Sequence, residues 1–199
     1  MGFLSVLSMA HRWMAERAQP GDAFIDATSG GGVDTLALAR LVGERGSVYA
    51  FDIQQAALDR TRDRLDAIRA SGKEKLADTL LFLRSHEQMA DCVPAALHGH
   101  IAGVMFNLGF LPGSDESLIT QPSTTIAALE AALVLLRPGG VITCVVYPGH
   151  PGGAEEAEAV QQWVEALPDE AAATMLYRQL HKKTAPYLLG VEKKSKREA

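Results

Sequence analysis

The chain has 199 residues, 47% of them hydrophobic and 22% charged, with a formal net charge of −5. That length suits a single domain over residues 1–199 with a sheet covered on both faces, and the composition is that of a soluble globular protein. No run approaches the roughly 18–20 apolar residues of a membrane span, so no membrane partner is expected. The acidic balance argues against a broad nucleic-acid grip, though a local stripe of Lys and Arg can still act on one face.

The chain opens apolar at Phe3 and Leu4, but His11, Arg12, Glu16 and Arg17 follow within four turns. This predicts an amphipathic helix rather than a signal peptide, and hence a cytoplasmic protein. Short apolar runs at 23–27, 47–51, 79–83, 101–106 and 141–146 read as strands buried on both faces. Helical stretches alternate with them at 33–42, 54–69, 87–97, 124–136 and 154–167. Asp34 is placed to cap the first of these helices, and Arg137-Pro138-Gly139-Gly140 ends the fourth. Such alternation predicts an α/β fold, a doubly wound and mostly parallel sheet. The tail differs: residues 174–180 and 187–192 read as two strands with too little between them for a crossover helix, so a C-terminal antiparallel hairpin is expected. Cys92 and Cys144 give neither a disulfide framework nor metal-ligand spacing; Cys144, inside an apolar run, reads as core.

The densest chemistry lies in Asp26-Ala27-Thr28-Ser29-Gly30-Gly31-Gly32-Val33-Asp34-Thr35, where a strand turns into a helix. Glycines there let the backbone turn and approach a ligand closely, although a purely structural turn has the same composition. Asp52 follows Gly32 by 20 residues at the end of the next strand, where a carboxylate can accept both hydroxyls of a ribose. Together they predict a nucleoside-type cofactor. A dinucleotide site would seat a pyrophosphate on the helix N-terminus. Asp26 and Asp34 flank the glycines here, and carboxylates repel a pyrophosphate but suit the sulfonium and ammonium of S-adenosylmethionine.

At this point the motifs resemble those of one family. The stretch from Asp26 to Thr35, Val48-Tyr49-Ala50-Phe51-Asp52-Ile53-Gln54, Ser85-His86, Phe106-Asn107-Leu108-Gly109-Phe110-Leu111-Pro112-Gly113 and Val145-Val146-Tyr147-Pro148-Gly149-His150-Pro151-Gly152-Gly153 look like the signatures of a small class I methyltransferase family. That family was long labelled "putative rRNA methylase". It is associated with methylation of 5-aminomethyl-2-thiouridine at the wobble position of bacterial tRNA. The resemblance runs from Gly21 to about Lys194. One departure is Ser29-Gly30-Gly31-Gly32, where relatives usually carry a larger residue at 29 and often Asn at 31, so Gly31 offers only its backbone.

The resemblance implies that Asp52 holds the ribose, that Gln54 packs near the adenine or ribose edge, and that Ser85 and His86 contact the adenine. Asp34 and the backbone of Gly30, Gly31 and Gly32, with Asp26 beside them, would serve the methionine end. Asn107-Leu108-Gly109-Phe110 has the Asn-x-x-aromatic shape of enzymes that methylate amino nitrogens. The Asn107 oxygen and the Leu108 carbonyl can accept an amine's N–H bonds and aim its lone pair, while Phe110 can stack on a pyrimidine. Burial would help the amine shed its proton, with Asp115 or His150 as acceptors that the sequence leaves open. His150 reads equally as acceptor-pocket residue and as structural turn, and His11, His98, His100 and His181 read as surface. Arg178, His181, Lys182, Lys183, Lys193, Lys194, Lys196 and Arg197 form a patch that can neutralise phosphates of a tRNA anticodon stem-loop, or be only a solvated end. No metal is expected, and a homodimer is compatible with a sequence that does not fix oligomeric state. The leading expectation is therefore an S-adenosylmethionine-dependent N-methyltransferase of the modified wobble uridine. The alternatives are a methyltransferase of a small-molecule or protein amine, and a catalytically silent donor-binding RNA adaptor.

Overall fold

The computed structural model describes residues 2–109, 120–182 and 184–195. Phe110 and Asp115, and Lys183, Lys196 and Arg197 of the tail, lie outside the described residues. The elements run α1 (Val6–Arg17), β1 (Ala23–Asp26), α2 (Val33–Val42), β2 (Ser47–Asp52), α3 (Gln55–Ser71), β3 (Asp78–Leu83), α4 (Met89–Cys92), β4 (Ile101–Asn107), α5 (Pro122–Leu135), β5 (Leu136–Val146), α6 (Gly153–Ala166), β6 (Ala172–Tyr177) and β7 (Tyr187–Lys193). The strands form one sheet in the order β3-β2-β1-β4-β5-β7-β6. β1 to β5 pair in parallel, and β7 joins β5 and β6 antiparallel. The doubly wound sheet and its tail hairpin are thus as expected. Among the described residues no helix is long and apolar enough to cross a membrane.

Because successive side chains on a strand point to opposite faces, a strand covered on both sides needs apolar residues at every position. Phe24, Met105, Val145 and Leu188 enter the core beneath α1, α2 and α3. Their neighbours Ile25, Phe106, Val146 and Leu189 enter the core beneath α5 and α6. The order reverses between β1 and β4, so their carboxyl ends part and leave the crevice where open α/β sheets bind ligands.

Three local expectations need correction. The helix expected over 87–97 is broken into a 3-10 turn at His86–Gln88, the short α4, and a second turn at Ala95–Leu97. Pro94 is the reason: the residue before a proline is driven out of the helical region, and Val93 is extended at φ −77°, ψ 130°. β5 starts at Leu136, ahead of the Arg137-Pro138-Gly139-Gly140 segment, because Leu136 pairs with Ile101 and Val141 with Gly103, and the residues between bulge out. Asp34 does not cap α2; Gly32, left-handed at φ 75°, occupies the cap position without a side-chain bond, and Asp34 turns elsewhere.

α1 lies across the finished sheet and is seated by two close approaches. A Cβ at Gly103 would stand 2.6 Å from the Met14 sulfur, and one at Gly190 would stand 2.6 Å from the Trp13 ring. The Tyr177 hydroxyl adds a hydrogen bond to the Leu4 carbonyl at 2.8 Å. This docking carries His11 toward the carboxyl ends of the strands.

Candidate active site

A cleft of about 630 Å³ opens at the carboxyl ends of β1, β2 and β4, within the size range of small-molecule sites. Gly30, Gly31, Asp34, Asp52, Gln54, Ser85, His86 and Asn107 line it, all named from sequence. Asp26, Gly32, Leu108 and His150 are not among its lining residues.

Asp52 ends β2 with one oxygen accepting the Gly30 N–H at 2.9 Å and the other accepting the Gln54 N–H at 2.9 Å. A carboxylate has about four acceptor positions, so each oxygen keeps capacity for a ribose hydroxyl. Burial pushes the Asp52 carboxyl above its ordinary range, and the backbone bonds from Gln54 and Gly30 offset part of that. Beside it Ile53 is 54% exposed, an apolar plate on the cleft wall.

The glycine turn is braced from below by buried hydroxyls. Asp26 is fully buried and accepts from the Thr28 N–H at 3.1 Å and the Thr35 hydroxyl at 2.5 Å. Burial first, and then the charge of Asp34, raise its carboxyl to about 7. Ser29 bonds Thr35 Oγ1 at 3.1 Å and Thr61 Oγ1 at 2.9 Å. Asp26 and Ser29 therefore shape the loop; Ser29 lines the cleft and Asp26 lies buried beneath it. Gly32 acts by closeness: a Cβ there would stand 2.8 Å from the Thr61 Cα, so only glycine lets the loop lie on α3.

His86 is buried, lines the cleft and packs its ring on Phe106 with centroids 5.8 Å apart. Burial lowers it to about 4, so at neutral pH it is an uncharged imidazole suited to a nucleobase.

At the acceptor side, the Asn107 N–H donates to Thr28 Oγ1 at 2.7 Å. Its Nδ2 donates to Asp34 at 3.4 Å and its Oδ1 accepts from the Tyr147 hydroxyl at 2.8 Å. Asp34 in turn accepts from His11 Nε2 at 2.6 Å, which overturns the surface reading of His11. Leu108 buries its side chain in the α5–α6 core, and its N–H donates to the Val145 carbonyl. His150 donates Nδ1–H to the Pro151 carbonyl at 2.8 Å, and its ring nests against Gly109 and Gly153. That geometry favours its turn role. The Gly109 N–H donates to Thr120 Oγ1, the Thr120 N–H donates to the Gly109 carbonyl, and the Thr120 hydroxyl donates to the buried Glu156.

The sequence also missed three guanidinium groups on the cleft, Arg60 and Arg64 from α3 and Arg84 beyond β3. Arg64 Nε donates to the Gly31 carbonyl at 2.7 Å. The tail patch, by contrast, divides. β7 runs antiparallel to β5, so Lys193 and Lys194 sit at the edge opposite the cleft. There Lys193 bonds the Val134 and Leu136 carbonyls, and Lys194 bonds Asp169. Arg178 and Lys182 stay on the cleft edge, since Tyr177 pairs with Leu188 next to the end of β5.

Comparison with known proteins follows the same lines. The profile of the "Putative rRNA methylase" family matches residues 48–192. A "tRNA (mnm(5)s(2)U34)-methyltransferase, chloroplastic" of Arabidopsis thaliana is 41% identical over 186 residues, 91% of this chain and 66% of the plant protein. The chain thus spans slightly less than two thirds of that relative's length. A Clostridium thermocellum structure described as a "putative rRNA-methylase" is 34% identical with a TM-score of 0.88, covering 97% of this chain and 100% of that one. A "putative methyltransferase" from Streptococcus mutans, solved in complex with SAH, is 32% identical with a TM-score of 0.82, covering 96% and 99%. The methyltransferase fold and the donor-type cofactor expected from sequence are borne out at the level of these relatives. The matched profile over most of the chain and the near-complete structural overlap agree, and the chain belongs to the "putative rRNA methylase" family of class I methyltransferases.

Proposed function

We propose that the protein is an S-adenosylmethionine-dependent N-methyltransferase acting on the 5-aminomethyl group of the modified wobble uridine, 5-aminomethyl-2-thiouridine, in tRNA. Methyl transfer to tRNA or rRNA is the coarser activity that the family and its relatives support. The wobble-uridine acceptor draws on the activity for which the plant relative is named.

The observation that carries the reading is the aimed amide at the mouth of a nucleoside-sized cleft. Asn107 is held from both ends, by Asp34 and by Tyr147. The cleft fits the donor on its own evidence: Asp52 retains acceptor capacity toward a ribose, Ile53 and His86 offer surfaces for an adenine, and among the described residues no atom stands within 4 Å of a Cβ placed at Gly31. S-adenosylmethionine supplies an electrophilic methyl group on a sulfonium. Asp34 places negative charge on that side of the cleft, while Asn107 aims the amine and orients its lone pair. The tRNA anticodon stem-loop is held by phosphate contacts from Arg60, Arg64 and Arg84 rather than by Lys193 and Lys194.

Nucleoside mass spectrometry of tRNA from cells lacking the protein tests this. The expected result is loss of the methylated wobble nucleoside and accumulation of its 5-aminomethyl precursor. Unchanged wobble nucleosides would refute the tRNA acceptor and leave a small-molecule or protein amine.

A further inference from the structure

We propose that His11 is a positioning residue for methyl transfer, acting through Asp34 to fix the orientation of the Asn107 amide while Tyr147 holds its other end. The inference rests on the reading of Asn107 as the residue that aims the acceptor amine. An ionised carboxylate only accepts hydrogen bonds, so both neighbours of Asp34 must turn donors toward it. His11 presents Nε2–H at 2.6 Å and Asn107 presents Nδ2 at 3.4 Å. With its nitrogen committed to Asp34, the Asn107 amide has its oxygen on the opposite side, where the Tyr147 hydroxyl donates at 2.8 Å. That oxygen has two lone pairs, and the one not used by Tyr147 is available to an amine N–H in the cleft that Asn107 lines.

The electrostatics agree with this order of donors. His11 is raised above its ordinary value, first by its hydrogen bond to Asp34, against the opposing effect of burial, with the charges of Asp34 and Asp26 adding to the rise. Burial, and then the charge of Asp34, raise the Tyr147 hydroxyl, which stays protonated and donating at neutral pH. Among the described residues, Asp34 from α2, Asp26 from β1 and Tyr147 beyond β5 are the titratable groups that face this chain of bonds. The seat of α1 on Gly103 and Gly190 fixes His11, so the Asn107 amide is set by an element that itself contributes nothing to the cleft wall. Removing the imidazole leaves Asp34 to turn toward other donors and releases the amide to flip.

Two measurements on the full chain test it. By NMR, the His11 ring should titrate above the ordinary histidine range and return toward it in Asp34→Asn. The Asn107 side-chain amide resonances should move in both His11→Ala and Tyr147→Phe. In single-turnover transfer to the amine that the wild type methylates, His11→Ala and Tyr147→Phe should each lose about 10- to 100-fold in rate, with donor affinity within about threefold of wild type. His11→Gln, which can still donate to Asp34, should recover most of the rate. The double variant should be no slower than the slower single one, because members of one positioning chain fail together. Undisturbed Asn107 resonances in His11→Ala, rates at the wild-type level, or effects that multiply in the double variant would each overturn the proposal. If the wild type methylates no amine, the proposed function fails, and the NMR arm still decides whether His11 orients Asn107.

Discussion

Asp52 has a structural task and a proposed ligand-binding one, and its removal tests both. In Asp52→Ala the cleft loses the acceptor proposed for the ribose, and the Gly30 N–H loses the bond that pins the glycine turn to β2. Charge-assisted hydrogen bonds contribute about 1.5–3 kcal/mol each, and those lost here share one carboxylate and do not add fully. A net loss of about 2–4 kcal/mol is expected, which is about 30- to 1,000-fold in the affinity for S-adenosylmethionine or its demethylated product. Asp52→Asn should be nearly as weak. Whichever way its amide turns, an NH₂ group faces either the Gly30 or the Gln54 N–H, and two donors repel. Stability should behave differently. A carboxyl whose folded-state pKa is raised is penalised in its ionised form, so in the unliganded asparagine variant relief of that penalty should offset much of the donor repulsion, and melting should move little at pH 8. Isothermal calorimetry beside thermal unfolding makes the comparison. Affinity within about threefold of wild type in both variants would remove Asp52 from the donor site.

Asp26 gives a pH dependence of definite sign. Its folded-state pKa of about 7 lies above the usual carboxyl value of 3.8, so between these values the folded chain holds the extra proton and stability falls as pH rises. Asp26→Asn keeps a neutral partner for Thr28 and Thr35 and should flatten that slope in denaturant titrations from pH 4 to 8; an unchanged slope would assign it to other groups. Asn107→Ala should lower single-turnover methyl transfer by about 30- to 1,000-fold while leaving donor affinity nearly intact, as expected for a lost aiming contact. Equal losses in both quantities would place Asn107 in donor binding instead. Replacing Arg60 and Arg84 by Ala should weaken tRNA binding and flatten its log–log salt dependence by about 1–2, whereas Lys193→Ala with Lys194→Ala should change neither. The reverse pattern, read by filter binding across a salt series, would restore the tail to the RNA interface.

The fold was legible because parallel strands covered on both faces need unbroken apolar runs, and those runs stand out in the chain. The cofactor side was legible for a related reason: Asp52 and the glycine turn are tied to strand ends, so sequence spacing locates them. Contacts made by docking were not legible. His11 meets Asp34 across 23 residues, and only the seat of α1 on the sheet creates that bond. Ser29 stood out only as a departure from the family pattern, yet its hydroxyl fits a cluster completed by Thr61 on α3. Arg60 and Arg64 look like the solvated face of a charged helix until the cleft is seen beside them. Lys182 and Lys193 are close in sequence, but the strand between them spans the sheet from one edge to the other.

The seat of α1 has a consequence for the order in which the molecule becomes competent. During synthesis α1 leaves the ribosome before any strand it rests on, yet its footholds, Gly103 on β4 and Gly190 on β7, are made much later. The described lining of the donor crevice runs from Ala27 to Thr124, all of it ahead of β5, β6 and β7 in the chain. The His11–Asp34 bond must wait until β7 has slotted between β5 and β6 and offered Gly190 to Trp13. Closure of the tail hairpin thus completes the seat of α1. A nascent or C-terminally truncated chain can present a donor-shaped crevice while its acceptor amide is still unaimed.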